Sequence, residues 1–365
     1  MLLSIVIVNY RVPLLLEQCL HSVFRSIKHV PGDVDVWVVD NASGDDSLAL
    51  SKSRYPEVHY IENRENVGFA RANNQAIKES TGKYVLLLNP DTVIGESTLK
   101  DCLLFMEQHT KVGGLGVRMM DAHGDFLPES KRGFPSPSAS FFKLSYLYRL
   151  FPKNRTMGRY YMGWLPMDEA NEVEVLAGAF MMMRRSVLDK VGLLDERFFM
   201  YGEDIDLSHR IVLGGAACYY LPVPILHYKG ESSSATDLKY LKSFNGAMQL
   251  FFDKYYQSKM GFLGRCTISF AISMRTLLAK ALRRIRLMRN TSATEDRSNQ
   301  IVHYIDFDNK DLDKYKVAGN LDLLIDTTTL SYDDILSYMQ LLSGRGHTFH
   351  FQRGREEPII SPSKK

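Results

Sequence analysis

The sequence predicts an α/β fold with a mostly parallel sheet that helices cover on both faces. Apolar runs typical of buried strands alternate with segments of helical periodicity over the first part of the chain. This alternation favours parallel strands joined by right-handed crossovers. The predicted strands are Leu2–Val8, Val34–Val39, Val58–Ile61, Tyr84–Leu88 and Val112–Val117, and the predicted helices are Pro13–Ser26, Ser47–Lys52, Ala70–Ser80 and Glu96–Gln108.

An Asn-Pro-Asp tripeptide ends the fourth predicted strand. The apolar run Tyr84–Leu88 is followed directly by Asn89, Pro90 and Asp91, and proline prevents the strand from continuing as a regular ladder. Open α/β sheets bind their ligands at the carboxyl ends of the strands. We therefore expect Asp91 to hold a divalent cation and a phosphate. The alternative is a turn that contains an aspartate by chance.

Two more motifs lie at the ends of predicted elements. Asp40 follows the second apolar strand, where its carboxylate can accept a hydrogen bond from the imide N–H of a uracil or thymine base, or can cap the next helix. Asn66 and Gly68 open the helix that contains Asn73. Small residues at a helix start allow backbone donors to approach a diphosphate, although Asn-x-Gly is also a common turn.

Acidic residues begin a later helix, and a histidine ends a short strand. Glu203 and Asp204 follow an aromatic segment with a glycine. A carboxylate on a rigid helix start is suited to deprotonate an acceptor hydroxyl, so Asp204 is the candidate general base and Glu203 could share that role. Ordinary helix capping is the alternative. His227 is structural unless it joins Asp91 in an oxygen-and-imidazole site for Mn²⁺ or Mg²⁺.

Residues 128–172 differ in composition from the chain before them. Proline, aromatic and basic residues dominate there, and a long irregular insertion in a compact domain usually serves as a lid or binding loop. Regular structure is predicted to resume over Val173–Arg184. A helix near Glu203 and two strands, Ala217–Leu221 and Ile225–Tyr228, complete this part.

Basic residues are concentrated late in the chain. The formal net charge of +3 is too small to indicate nucleic acid, which is not expected as a partner. From Ser258 to Thr294, however, there are eight Lys or Arg and no Asp or Glu. We predict that residues 236–290 are helical and form a basic amphipathic surface for a membrane. The alternative is a helix that packs on its own domain and exposes a solvated basic face.

The last part of the chain predicts a small α/β unit over residues 300–365. It follows a polar linker at Thr291–Asn299 and has too few residues to build much core of its own, so we expect it to dock on another surface. Its predicted elements are the strand Ile301–Ile305, the strand Leu321–Ile325, the helix Tyr332–Leu342 and the strand His347–Phe351.

Taken in order, these motifs resemble the family 2 glycosyltransferases of the GT-A fold, particularly the rhamnosyltransferase-like subgroup. The resemblance covers about Leu2 to Ser234 and depends on the combination, because each motif alone is weak. It implies a GT-A domain over residues 1–235 in which residues 128–172 form an acceptor-side loop. The motifs that carry it are Asn9-Tyr10, Asp40-Asn41-Ala42-Ser43, Glu65 to Ala76, Asn89-Pro90-Asp91, Glu203-Asp204 and His227.

The resemblance implies an inverting transferase that uses a nucleoside-diphosphate sugar and Mg²⁺ or Mn²⁺. In such a site Asp40 contacts the base, Asp91 helps to hold the metal and the diphosphate, and His227 joins them. Asp204 is the implied catalytic base. Many family members have an aspartate at the position of Asn89, so Asp91 is the one carboxylate in this motif of the chain. The other residues implied at the nucleotide-sugar site are Asn9, Tyr10, Asn66, Gly68, Asn73 and Asn89.

The expected acceptor is a saccharide or a lipid-linked saccharide in cell-surface polysaccharide synthesis, and the expected location is cytoplasmic, peripheral on the inner face of a membrane. Two other classes stay open: a sugar-nucleotide-binding protein without turnover and a sugar nucleotidyltransferase. The presence of both Asp91 and Asp204 argues against the first. The second should carry a Gly-rich basic loop after the first strand, where this chain has Asn9-Tyr10-Arg11.

Overall fold

The computed structural model of the chain describes residues 1–229, 238–256, 302–304, 315, 319–354 and 356–362. The basic amphipathic helix predicted after Ser258 and the linker Thr291–Asn299 lie outside these residues. Within the described part of the chain, no helix has the length and apolar character needed to cross a bilayer.

A mixed sheet of nine strands forms the centre of the described chain. Its strands are β1 (Leu3–Asn9), β2 (Val34–Asp40), β3 (His59–Glu62), β4 (Tyr84–Leu88), β5 (Thr92–Ile94), β6 (Val112–Met120), β7 (Asn171–Val173), β8 (Phe180–Arg184) and β9 (Ala217–His227). Their order is β3-β2-β1-β4-β8-β6-β9-β5, with β7 paired to β9. The first four strands in that order are parallel, whereas β8 runs antiparallel to both neighbours.

Helices cover both faces of this sheet, which confirms the predicted fold class. Along β1, Ile5 and Ile7 belong to the core on one face and Val6 and Val8 to the core on the other, as expected for a strand buried on both sides. The helices are α1 (Pro13–Ile27), α2 (Ser47–Arg54), α3 (Phe69–Glu79), α4 (Thr98–Gln108), α5 (Pro137–Leu144), α6 (Arg185–Val191), α7 (Glu203–Leu213) and α8 (Leu238–Tyr256).

The elements predicted up to β6 agree with the structure to within three residues at each end. One later prediction was wrong, because Ala217–Leu221 and Ile225–Tyr228 are not two strands but the single strand β9. Pro222 and Pro224 lie between the two predicted strands. In the structure they lie where the register between β6 and β9 shifts, and a bulge of this kind accommodates proline.

A second sheet lies near the C-terminus and packs on the first. Its three parallel strands are β10 (Val302–Tyr304), β11 (Asp322–Asp326) and β12 (Thr348–Gln352), and its helix is α9 (Tyr332–Leu341). Side chains of this C-terminal unit share one buried cluster with residues of α1, β5 and β9. The division of the chain into residues 1–235, 236–290 and 300–365 stays a prediction.

Two helix N-termini cap each other where the C-terminal unit meets α4. The Glu96 carboxylate accepts hydrogen bonds from the backbone N–H groups of Tyr332 (3.0 Å) and Asp333 (2.9 Å). In return, the Asp333 carboxylate accepts from the N–H of Ser97 at 3.0 Å. Each carboxylate thus meets the positive end of the other helix, which satisfies its unpaired backbone donors.

We expect Phe351→Ala to destabilise the protein by about 3–5 kcal/mol, because the side chain is 1% exposed and its removal leaves a cavity beside Tyr228. Urea unfolding measures the loss. Leu341→Ala is the matched control, since Leu341 on α9 is 51% exposed and should change stability by less than about 0.5 kcal/mol. If both substitutions changed the free energy of unfolding equally, the contact between Phe351 and Tyr228 would contribute no stability.

Candidate active site

The carboxyl ends of β1 and β2 hold a network around Asp40. Asn9 pairs with Asp40 in the strand register and donates from Nδ2 to Asp40 Oδ1 at 2.7 Å. The Ser43 hydroxyl donates to the same oxygen at 2.5 Å, and the Ser43 N–H donates to Asp40 Oδ2 at 3.0 Å. Because Asn9 is fully buried, its side chain orients the Asp40 carboxylate and lies behind it.

Tyr10 lies at the rim of this network. Its half-buried ring is 5.2 Å from the guanidinium of Arg11, measured to the ring centroid. The Arg11 Nε donates to the Ser43 carbonyl at 3.0 Å. Tyr10 is therefore connected to the Asp40 network through Arg11 and Ser43.

The backbone N–H groups at the start of α3 are bonded within the protein, whereas the sequence predicted that they would face a diphosphate. Gly68 has a φ of +86°, and a Cβ at this position would lie 2.5 Å from the Phe199 carbonyl oxygen, so only glycine fits. The Gly68 N–H donates to Asn66 Oδ1 at 3.0 Å, and the Phe69 N–H donates to Phe199 O at 2.7 Å. These two backbone donors, expected to face a diphosphate, are already used within the protein. Asn73 is also buried and donates to the Phe69 carbonyl of its own helix at 2.9 Å.

Asn89, Asp91 and His227 meet where β4 ends and β5 pairs with β9. Thr92 pairs with His227 in the antiparallel register, which brings His227 Nε2 to 3.4 Å from Asp91 Oδ1. Asn89 Nδ2 lies 3.5 Å from the same ring nitrogen. The structure therefore brings together three predicted site residues that are 138 positions apart at their extremes.

The donors at this place fit a divalent cation. Asp91 and His227 present a carboxylate oxygen and an imidazole nitrogen, with side chains only 7% and 13% exposed, and this donor set suits Mn²⁺ and Mg²⁺. Within the described residues, no three His, Cys, Asp or Glu side chains converge in a metal-binding arrangement. A cation bound by Asp91 and His227 would therefore need further ligands, such as phosphate oxygens or water, to complete its coordination.

Asp204 lies at the start of α7 in a partly buried ion pair that the sequence did not predict. Its Oδ2 accepts from Arg132 Nη2 at 2.5 Å and from the Gly178 N–H at 3.3 Å, while its Oδ1 accepts from the Ile205 N–H at 2.8 Å. The same Arg132 nitrogen donates to the Leu176 carbonyl at 2.6 Å. Arg132 therefore holds the Asp204 carboxylate in one orientation.

Two consecutive residues connect Asp204 with the Asn89 turn. The Gly178 N–H contacts Asp204, and the carbonyl of the next residue, Ala179, accepts from the Asn89 N–H at 3.0 Å. Adjacent Cα atoms are about 3.8 Å apart. The candidate base and the end of β4 therefore both contact one two-residue segment.

Glu203 differs from Asp204 in environment. Its side chain is buried, its Oε2 has no hydrogen-bond partner in the described structure, and burial, reinforced by the charge of Asp204, raises the pKa of Glu203 to about 8. Glu203 is therefore neutral near pH 7 while its neighbour is paired with a cation. This arrangement argues against the expected sharing of the base role.

The residues around Arg132, near the start of the acceptor-side insertion, lie beside Asp204. Gly133, next to Arg132, donates its N–H to the Tyr160 carbonyl at 3.1 Å, and Lys143 Nζ lies 3.5 Å from the centroid of the Tyr160 ring. The sequence contained one signal for Arg132: no Asp or Glu occurs from Lys131 to Met167. A buried cation in that stretch has to find its carboxylate elsewhere in the chain.

Two curated proteins are similar to this chain. It is 27% identical over 267 residues to the N-acetylglucosaminyl-diphospho-decaprenol L-rhamnosyltransferase of Mycobacterium tuberculosis. This alignment covers 69% of this chain and 86% of that protein. It is 28% identical over 216 residues to the rhamnosyltransferase WbbL of Escherichia coli, which covers 56% of this chain and 77% of that protein.

The fold is similar to that of solved glycosyltransferases. GalNAc-T7 with UDP, GalNAc and Mn²⁺ aligns with a TM-score of 0.50 at 15% identity, over 70% of this chain and 49% of that one, a likeness that concerns the fold alone. The family model described as glycosyl transferase family 2 matches residues 4–192, more than half of the chain. With the motif order and the sheet topology, this match shows that the chain is a glycosyltransferase that belongs to glycosyl transferase family 2.

Proposed function

We propose that the chain is an inverting glycosyltransferase that moves a sugar, with rhamnose as the first candidate, from a dTDP- or UDP-sugar to a hydroxyl of a saccharide or lipid-linked saccharide. The names of the mycobacterial and E. coli relatives support rhamnose, and the first also supports a lipid-linked acceptor. The observation that carries the proposal is the segment Gly178–Ala179, which contacts Asp204 through Gly178 and Asn89 through Ala179.

The donor is proposed to lie along the carboxyl ends of β1, β2 and β4. Asp40, held by Asn9 and Ser43, is oriented to accept from the imide N–H of the base. Asp91 and His227 would hold Mg²⁺ or Mn²⁺ together with the diphosphate. When bound, the cation supplies Lewis-acid stabilisation of the leaving phosphate charge.

The acceptor is proposed to approach from the side of Asp204. Its carboxylate takes the proton of the acceptor hydroxyl as the oxygen forms a bond to the anomeric carbon. The bond from that carbon to the diphosphate oxygen breaks on the opposite face, so a single displacement inverts the configuration. Arg132 keeps Asp204 oriented, and general-base catalysis of this kind contributes ~10²–10⁴ in rate.

Family membership argues against the two alternative classes. A sugar nucleotidyltransferase does not agree with the family match, and a binding protein without turnover would not require the oriented, ion-paired Asp204. We further propose that the protein works in polysaccharide synthesis at the cytoplasmic face of a membrane, as a peripheral protein.

Asp204→Asn should lower kcat by ~10²–10⁴, because the amide cannot accept the proton, while the affinity for UDP and dTDP with Mn²⁺ stays within about threefold. Transfer assays and calorimetry measure the two effects. Asp189→Asn, at an exposed position of α6, is the matched control and should leave both unchanged. Wild-type turnover of the Asp204 variant would refute the base assignment.

Asp91→Asn should weaken Mn²⁺ binding in the presence of UDP or dTDP by at least about 10-fold, since even outer residues of a metal site cost 10–100-fold when changed. Titration calorimetry measures this directly, without an acceptor. His227→Ala should act similarly, because the two side chains approach within 3.4 Å. Unchanged Mn²⁺ affinity in both variants would show that the cation, if used, is held elsewhere.

Glu203→Gln should keep activity at pH 7 within about threefold and change the pH dependence of stability. A raised folded-state pKa gives Glu203 a stabilising contribution that is complete below its ordinary value of 4.5 and is lost as the pH rises to about 8. The melting temperature of the wild type should therefore fall relative to that of the variant over this range. Exposed Glu79→Gln should leave the profile unchanged, and a loss of transfer in Glu203→Gln at pH 7 would indicate a catalytic role.

A further inference from the structure

Exposed apolar side chains are concentrated in the acceptor-side insertion, residues 128–172. Single exposed apolar residues are ordinary on a protein surface, whereas a contiguous group marks an interaction site. Here four large side chains within eleven consecutive positions are 53–70% exposed, namely Phe141, Tyr146, Leu150 and Phe151.

The same stretch carries positive charge without any negative charge. From Lys131 to Met167 there are seven Lys or Arg and no Asp or Glu. Arg132 and Arg159 are paired with carboxylates from other segments. Arg149, Lys153 and Arg155 are exposed, and none of them forms an ion pair with a described carboxylate. These three cations and the four exposed apolar side chains together are called the acceptor-side patch.

The inner side of the same insertion contacts the catalytic region. Ala139 and Ser140 of α5 are buried, while Phe141 points its surface to solvent. Lys143, on the same helix, lies over the ring of Tyr160, whose carbonyl binds the residue next to Arg132. The acceptor-side patch is therefore the outer surface of the element whose root holds Asp204.

We propose that the acceptor-side patch docks on the surface of a membrane that contains anionic phospholipid. Aromatic rings with Arg and Lys are typical of segments that lie at the headgroup level, and apolar and electrostatic contacts together give the two signals that stable membrane binding requires. The inference rests on the proposed function, because a lipid-linked acceptor would then reach Asp204 while its lipid stays in the bilayer. It concerns a different segment of the chain from the basic helix predicted after Ser258.

The test measures binding of the full chain to vesicles of phosphatidylcholine with or without about one-third phosphatidylglycerol. One variant combines Phe141→Ser, Leu150→Ser and Phe151→Ser, and a second combines Arg149→Gln, Lys153→Gln and Arg155→Gln. The matched controls replace exposed residues elsewhere: Leu104→Ser with Leu213→Ser, and Arg64→Gln with Lys100→Gln and Lys111→Gln. Calorimetric binding of UDP and dTDP with Mn²⁺ checks each protein for a folded donor site.

The wild type and both controls should bind the anionic vesicles and not the neutral ones. The charge variant should lose ~10² in affinity, equivalent to about 1 kcal/mol for each removed cation, and the apolar variant should lose at least as much. The proposal is overturned if either patch variant binds like the wild type, if the controls lose as much, or if the wild type binds neither vesicle. If the wild type self-associated without lipid and only the patch variants lost this self-association, the surface would be a contact with a second copy of the chain instead. Failure of nucleotide binding in the wild type would count against the proposed function and leave the vesicle result to decide the patch.

Discussion

The antiparallel strand β8, inserted between β4 and β6, is the constraint on which the site depends. Phe180 pairs with Leu88 at the end of β4. This pairing positions the two preceding residues, so that Gly178 contacts Asp204 and Ala179 contacts Asn89. Phe180, Met181, Met182 and Met183 are all buried. A slip of one residue would exchange the faces of these side chains, so burial on both sides specifies the register strongly. Packing of apolar residues thereby sets the geometry of the polar ones.

Electrostatics divides the roles of the two adjacent acids on α7. Arg132 forms an ion pair with Asp204, whereas burial together with the charge of Asp204 raises the pKa of Glu203 to about 8. Glu203, without a partner for Oε2, keeps its proton. A buried ion pair adds little net stability once desolvation is counted. The effect of Arg132 is therefore to fix the orientation of the Asp204 carboxylate.

The sequence predicted what local patterns determine and missed what distant contacts determine. Strand β4 was predicted at its observed bounds, because a buried apolar run ended by proline is unambiguous. The Arg132–Asp204 pair joins residues 72 positions apart, and the carbonyl that occupies the Phe69 N–H belongs to Phe199. Neither contact leaves a local pattern. By contrast, the proximity of Asp91 and His227 could be predicted, because each was placed at a strand end and such ends lie close together in the sheet.

The C-terminal unit bears on the same site through the edge of the sheet. Strand β5 has three residues and lies last in the sheet order, and a short edge strand is stable only when it is covered. Val93 of β5 and Tyr228, which follows β9, pack in one cluster with Phe351 of β12. The Tyr228 N–H donates to the Asp91 carbonyl at 3.0 Å. This strand pair sets the distance between Asp91 and His227. No described residue of the unit is a donor at this place, and the unit acts by preorganising the two side chains that would hold a cation.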